Sequence, residues 1–205
     1  MSRDVTPILK THRLDRLLPT QMTIGYREVA ARIAEWKGMK KKEAGVFLGG
    51  HAIPVVLGPA DRTCLIDHHH LARALIDSGQ EEVMVQVVAD YRSLSVGEFW
   101  HMLDCQNYVY TFDAQGRKHA PSDLPGSLLV MPDDPFRSLA GAVRRNGGFA
   151  KDRTPYAEFI WSDFFRRRIG DKLVERDFDR ALGQATDLAR SGAARHLPGW
   201  CGPDT

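Results

Sequence analysis

No stretch of this 205-residue chain holds the roughly 18 or more consecutive apolar residues that a membrane-spanning helix needs. Its opening, Met1-Ser2-Arg3-Asp4, carries no apolar signal core, so a cytoplasmic location is expected. Cysteine is scarce: Cys64, Cys105 and Cys201 are odd in number and far apart. That spacing excludes a disulfide framework and a Cys-x-x-Cys metal knuckle, and it suits reduced thiols. Charge of one sign is also missing, because 28 Lys and Arg stand against 26 Asp and Glu for a net +2. Such a balance names no nucleic-acid or membrane partner. The densest basic run, Arg166-Arg167-Arg168, reads as the solvated side of a helix. Repeats and low-complexity segments are absent. With 43% hydrophobic and 26% charged residues, the chain can bury a core.

Apolar spacing sets out the elements. Val29, Ala30, Ile33 and Trp36 share one face of a helix from Tyr26 to Trp36, which Gly38 ends before a basic connector, Lys40-Lys41-Lys42. Ile53-Pro54-Val55-Val56-Leu57 and Thr63-Cys64-Leu65-Ile66 predict two strands of a hairpin around the turn Gly58-Pro59-Ala60-Asp61. Asp67-His68-His69-His70 follows, and Leu71, Ala72, Leu75 and Ile76 then continue at helical spacing. Val83 to Ala89 is a valine-rich strand.

The second half turns helical. Ser95 and Glu98 form a capping box before Phe99, Met102 and Leu103. Residues 107–132 are irregular. Asp133-Asp134-Pro135 opens a helix with Phe136, Leu139, Ala140 and Val143 on its apolar face. Thr154-Pro155 opens another, and a further one runs from about Asp177 to Arg190, where Gly192 stops it. Trp100, Trp161, Phe164 and Phe165 are expected between these helices as core.

Several of these segments, taken in order, resemble the ParB/sulfiredoxin-like superfamily. They are Leu17-Leu18-Pro19-Thr20-Gln21, Ile53-Pro54-Val55-Val56, Leu65-Ile66-Asp67-His68-His69-His70 and the strand Val83 to Val88. The second half is similar to a narrower group, the ParB-like nucleases. It carries Phe99-Trp100, Asp133-Asp134-Pro135-Phe136-Arg137-Ser138-Leu139-Ala140-Gly141 and Phe159-Ile160-Trp161-Ser162-Asp163-Phe164. The resemblance covers roughly Asp15 to Ile169. It implies an α+β fold, a small mixed sheet of ParB/sulfiredoxin type with helices and a helical C-terminal extension. The expected division is a core over 1–93 and an extension over 94–205 packed on it.

The strand-to-helix junction at Asp67 is the candidate site on physical grounds. A helix N-terminus offers unpaired N–H groups and partial positive charge, so it receives phosphate. Histidines there can donate to phosphate oxygens, move protons or bind metal. Adjacent helical positions diverge by about 100°, so one of the three histidines is expected to pack structurally. His69 and His70 match the two histidines of the family motif and are the expected catalytic pair. Asp67, expected as helix cap, joins His68, Gln21, Arg73 and Arg137 as expected ligand-binding residues. His68 stands where the family commonly has glycine, and Leu71 where it has arginine. Gln21 occupies the place of the general-base glutamate of related serine kinases, and His69 that of the sulfiredoxin cysteine. Neither activity is therefore expected.

Two further groups carry alternatives. His51, after Gly49-Gly50, could complete a metal site with His69 and His70, although its spacing matches no standard zinc pattern. Asp133 and Asp134 either stabilise a helix start, with Arg137 paired to one of them, or hold Mg²⁺ beside a phosphate bound by Arg137. The leading expectation is a protein that binds a phosphate-bearing ligand such as a nucleotide; chemistry there, if it follows, is expected to be phosphoryl transfer or phosphodiester hydrolysis, with a histidine as acid–base and Mg²⁺ neutralising charge. Its competitors are a metal-dependent nuclease and a non-catalytic DNA-partitioning adaptor. DNA as a partner lacks a helix-turn-helix signature, and no membrane partner is expected.

Overall fold

The computed structural model describes residues 8–203, the Lys41 side chain excepted. The expectation made for Met1 to Asp4 lies outside the described residues. The protein is α+β, and among the described residues five strands form one mixed sheet of order β1-β5-β3-β4-β2. It forms two compact units. One takes the chain up to Met22, Val29–Phe112 and Lys118–Pro132; the other takes Thr23–Glu28, Asp113–Arg117 and the chain from Asp133. Among the described residues no helix is long and apolar enough to cross a membrane.

The first unit holds the sheet. Strands β3 (Ile53–Gly58) and β4 (Arg62–Leu65) form the expected hairpin, and in the turn between them Ala60 and Asp61 take left-handed φ values of 54° and 55°. Strand β5 (Glu82–Asp90) runs parallel to β3, with a register shift between Val55 and Val56. Val56 joins Cys64, Phe99, Leu103 and Val109 in one apolar cluster, while Ile53 and Val55 are buried elsewhere in the core. The packing there is close: a Cβ on Gly58 would stand 2.8 Å from the Phe99 ring. Phe99 and Leu103 belong to α4 (Val96–Cys105), which starts at the capping box read in the sequence. The Glu98 N–H donates to Ser95 Oγ at 3.3 Å, and the Ser95 N–H donates to Glu98 Oε2 at 2.8 Å.

Three elements of this unit lie beyond what apolar spacing predicts. Strand β1 (Ile8–Arg13) pairs antiparallel with β5 at the sheet edge, and β2 (Leu18–Pro19) pairs parallel with β4. Helix α1 (Tyr26–Gly38) occupies its expected place, but the basic connector beyond it is the start of a second helix, α2 (Lys41–Gly50). There the Lys40 N–H donates to Glu43 Oε2 at 2.9 Å, which supplies the start signal that lysines alone do not. Helix α3 (His69–Asp77) follows β4.

The second unit is helical: α5 (Pro135–Arg145), α6 (Ala157–Arg166), α7 (Asp171–Arg176) and α8 (Phe178–Arg190). Trp161 is wholly buried at its centre, stacked on Phe149 with ring centroids 4.2 Å apart, and its indole N–H donates to the Pro198 carbonyl at 2.8 Å. Phe164 and Phe165 are buried with it, as the spacing predicts. The short α7 has no counterpart in the sequence reading, and α6 begins at Ala157 rather than at Thr154-Pro155, after Tyr156 in a left-handed conformation.

Candidate functional site

Strand register gathers the candidate residues at one end of the sheet. Val55 pairs with Leu65, and the Ile66 N–H donates to the Pro54 carbonyl at 3.0 Å. Pro19 pairs with Leu65 in parallel, and Gln21 and Asp67 each follow that pair by two residues. The half-buried Gln21 also bridges Tyr110.

The three histidines have different fates. His68 is the N-cap residue of α3 with φ 65°, and its side chain does not cap the helix. Asp67, expected as that cap, instead accepts the N–H of His68 at 2.7 Å. His69 is only 2% exposed, and its Nε2 accepts the buried Thr20 N–H at 3.1 Å. This nitrogen, expected in a catalytic role, is engaged inside the core by a backbone N–H. It clamps the segment bearing Gln21 against the β4–α3 junction, and the Thr20 hydroxyl adds a hydrogen bond to the Leu65 carbonyl at 2.9 Å. His70 is half-buried beside it.

Two expected ligand-binding arginines are engaged elsewhere. Arg73 Nε donates to both Asp77 oxygens at 3.0 Å, and its Nη1 donates to the carbonyls of Leu128 and Leu129 at 3.0 and 3.1 Å. It ties α3 to the turn at Leu128–Val130. Arg137 belongs to the second unit. It pairs with Glu158 at 2.7 Å and lies over the Phe159 ring at 4.3 Å, rather than pairing with Asp133 or Asp134.

Burial dominates the electrostatics of His68 at the α3 start. Burial pulls the His68 imidazole below the ordinary histidine range, Asp67 opposes this, and the charges of His51 and Arg32 add to the lowering. Its Nδ1 is buried without a hydrogen-bond partner. Behind the junction, burial pushes the Cys64 thiol of β4 up to about 12, so this cysteine is inert packing.

The acids of the second unit form a different arrangement. Asp134 caps α5, accepting the N–H groups of Phe136 and Arg137 at 3.0 and 3.2 Å, and pairs with Arg166 at 2.7 Å. Arg166 is therefore an interior ion-pair partner, not a solvated residue, although Arg167 beside it is exposed and paired with Asp163. Asp133 accepts the Tyr26 N–H at 2.7 Å and lines a cavity of about 470 Å³ with Arg166, Asp171 and Glu175. Burial raises both carboxyls above their ordinary range, against the pull of the arginines. Because an asparagine in place of Asp134 keeps a capping oxygen, Asp134→Asn is expected to lower stability by less than half as much as Asp134→Ala. The alanine variant should lose about 1–3 kcal/mol, read from denaturant midpoints. Among the described residues no group of three or more His, Cys, Asp or Glu is arranged to hold a metal ion.

A family model described as "Putative ParB-like nuclease" matches residues 10–167. The chain belongs to this ParB-like family. Among solved structures it is similar to the protein Atu1540 from Agrobacterium tumefaciens, with 48% identity and a TM-score of 0.91 over 97% of this chain and 98% of that one. A search of curated proteins found no match.

Within this ParB-like chain, two neighbours of the site take roles that local sequence does not signal. Arg32 sits on α1 with no local mark, and only the fold brings its charge to bear on His68. His51, a candidate metal ligand from its sequence, has its Nδ1 2.8 Å from the Phe47 carbonyl, and its ring stacks on Phe47 with centroids 4.1 Å apart.

Proposed function

We propose that this ParB-like protein binds a phosphate-bearing ligand, a nucleotide, at the sheet end where α3 begins. The observation that carries this reading is a nine-residue helix that starts at His68 without a cap from the His68 side chain, within the field of Arg32 and His51. Backbone N–H groups and cationic side chains at such a start complement phosphate oxygens. His70 takes the acid–base role in phosphoryl transfer, since His69 is enclosed. The described residues include no ready cage for Mg²⁺, so the ion would enter bound to the nucleotide's own phosphates and neutralise their charge.

A panel of nucleotides with Mg²⁺, scanned by thermal shift, tests the reading. Ligand at about a hundred times its Kd is expected to add about 2.7 kcal/mol, or roughly 5–10 °C in Tm. His70→Ala should abolish that shift while leaving the ligand-free Tm within about 2 °C. No response to any nucleotide, or a response indifferent to His70, would contradict it.

The family description favours one second reading, a metal-dependent nuclease acting on phosphodiesters at the same corner. Plasmid nicking that needs Mg²⁺ and disappears in His70→Ala would distinguish it from nucleotide binding alone.

A further inference from the structure

Helix α4 turns its Phe99 and Leu103 into the core, and its outer face carries two side chains that bind metals well. His101 and Cys105 lie four residues apart near its end, and both are exposed. Residues at i and i+4 are neighbours on a helix surface, which lets one helix present two ligands to one ion. His101 Nε2 stands 3.6 Å from Cys105 Sγ. Zinc binds sulfur at about 2.3 Å and imidazole nitrogen at about 2.0–2.1 Å, so two such ligands at the tetrahedral angle of about 109° are about 3.5–3.6 Å apart. The two donor atoms already stand at that separation. Their surroundings favour a cation. The helix ends at Cys105, where its carbonyls carry partial negative charge, its last turn holds no basic residue, and Asp104 is exposed beside the pair. The other cysteines lack this setting: Cys64 is buried, and the exposed Cys201 lies 3.3 Å from the Gly199 carbonyl.

We propose that His101 and Cys105 form half of a zinc site, which a second copy of the chain completes across a two-fold axis. A closed zinc site takes four ligands, and one chain brings two. Among the described residues no third His, Cys, Asp or Glu is arranged to join them, so the site is incomplete without the second copy. The two-fold axis doubles the pair to two sulfurs and two nitrogens, a set that zinc accepts in tetrahedral geometry. Thiolate and imidazole suit zinc, whereas magnesium and calcium take oxygen ligands. Gly97, four residues before His101 on the same face, has open space where a Cβ would stand, so the two helices can come close. Zinc displaces the thiol proton of each Cys105. Each ion bound therefore releases two protons, and the pairing weakens as pH falls.

The test titrates Zn²⁺ into the full chain, reduced and stripped of metal with a chelator, and follows its mass by sedimentation velocity and its bound metal by elemental analysis. One zinc to two chains and conversion of monomer to dimer are expected, and the chelator should reverse both. Co²⁺ in place of zinc should show the visible bands of a tetrahedral site and a thiolate-to-metal charge-transfer band. Cys105→Ser and His101→Ala alter exposed side chains, so each should keep the ligand-free Tm within about 2 °C. Each should weaken zinc binding about a hundredfold or more and leave a monomer. Cys201→Ser should bind zinc and pair as the unaltered chain does. No zinc binding, or zinc binding that survives Cys105→Ser, would overturn the site. Zinc held at one per chain by a monomer would overturn its completion by a second copy, and so would a mass that does not respond to zinc.

Discussion

Replacing His69 by alanine is expected to lower stability by about 2–4 kcal/mol, seen as a Tm lower by roughly 5–15 °C. The loss has two sources. Alanine leaves a cavity at a position only 2% exposed, and it leaves the buried Thr20 N–H without the Nε2 acceptor it meets at 3.1 Å. His69→Gln, which retains an acceptor at similar reach, should recover part of the loss. A ligand-contacting histidine would behave in the opposite way, with Tm preserved and binding lost. An unchanged melting curve for His69→Ala would therefore return His69 to the site and remove the structural assignment made for it.

An effect of similar or larger size is expected in the second unit. Glu158 accepts Arg137 through one oxygen and Arg144 through the other, both at 2.7 Å. Arg137 is buried, so Glu158→Ala leaves an enclosed guanidinium without its counter-charge and should lower stability by about 3–5 kcal/mol. Burial alone would raise the Glu158 carboxyl, but the charges and hydrogen bonds of Arg137 and Arg144 outweigh it and hold the group below its ordinary range. A carboxyl lowered in the folded state stabilises above its unfolded value of about 4.3, and that contribution fades as pH falls through the lower folded value. Denaturant midpoints measured from about pH 6 down to about pH 3 should decline in the wild type and decline less in Glu158→Gln. Parallel profiles for the two proteins would contradict this assignment.

Much of the architecture is legible in local pattern. The β3–β4 hairpin, β5 and α8 follow from apolar spacing and turn residues, and α4 and α5 from caps whose partners lie close in sequence. What escapes depends on distant partners or weak propensity. Ile8 to Arg13 becomes a strand only because β5, far along the chain, offers it an edge. Helix α2 contains three glycines in ten residues, which hides it from any propensity argument.

At the site, the location is readable in the sequence and the roles are not. One histidine is expected to pack, and it is His69, whose buried Nε2 takes the N–H of Thr20, a partner 49 residues away that local pattern does not reveal. The glycine of the family motif also has a physical reason, because His68 takes a left-handed φ of 65° that glycine adopts without strain. The partners of Arg73 and Arg137 are invisible to local pattern, since each lies across a tertiary contact.

The claim that α3 begins at a phosphate site is tested most directly by titrating the histidine imidazoles with and without pyrophosphate, by heteronuclear magnetic resonance. His68 titrates below the ordinary range beside the positive charges of His51 and Arg32. A bound anion offsets those charges, favours the protonated ring and raises its pKa, so binding takes up a proton and tightens as pH falls. The account predicts that pyrophosphate moves the His68 titration to higher pH. Identical His68 titrations in the presence and absence of pyrophosphate would contradict it.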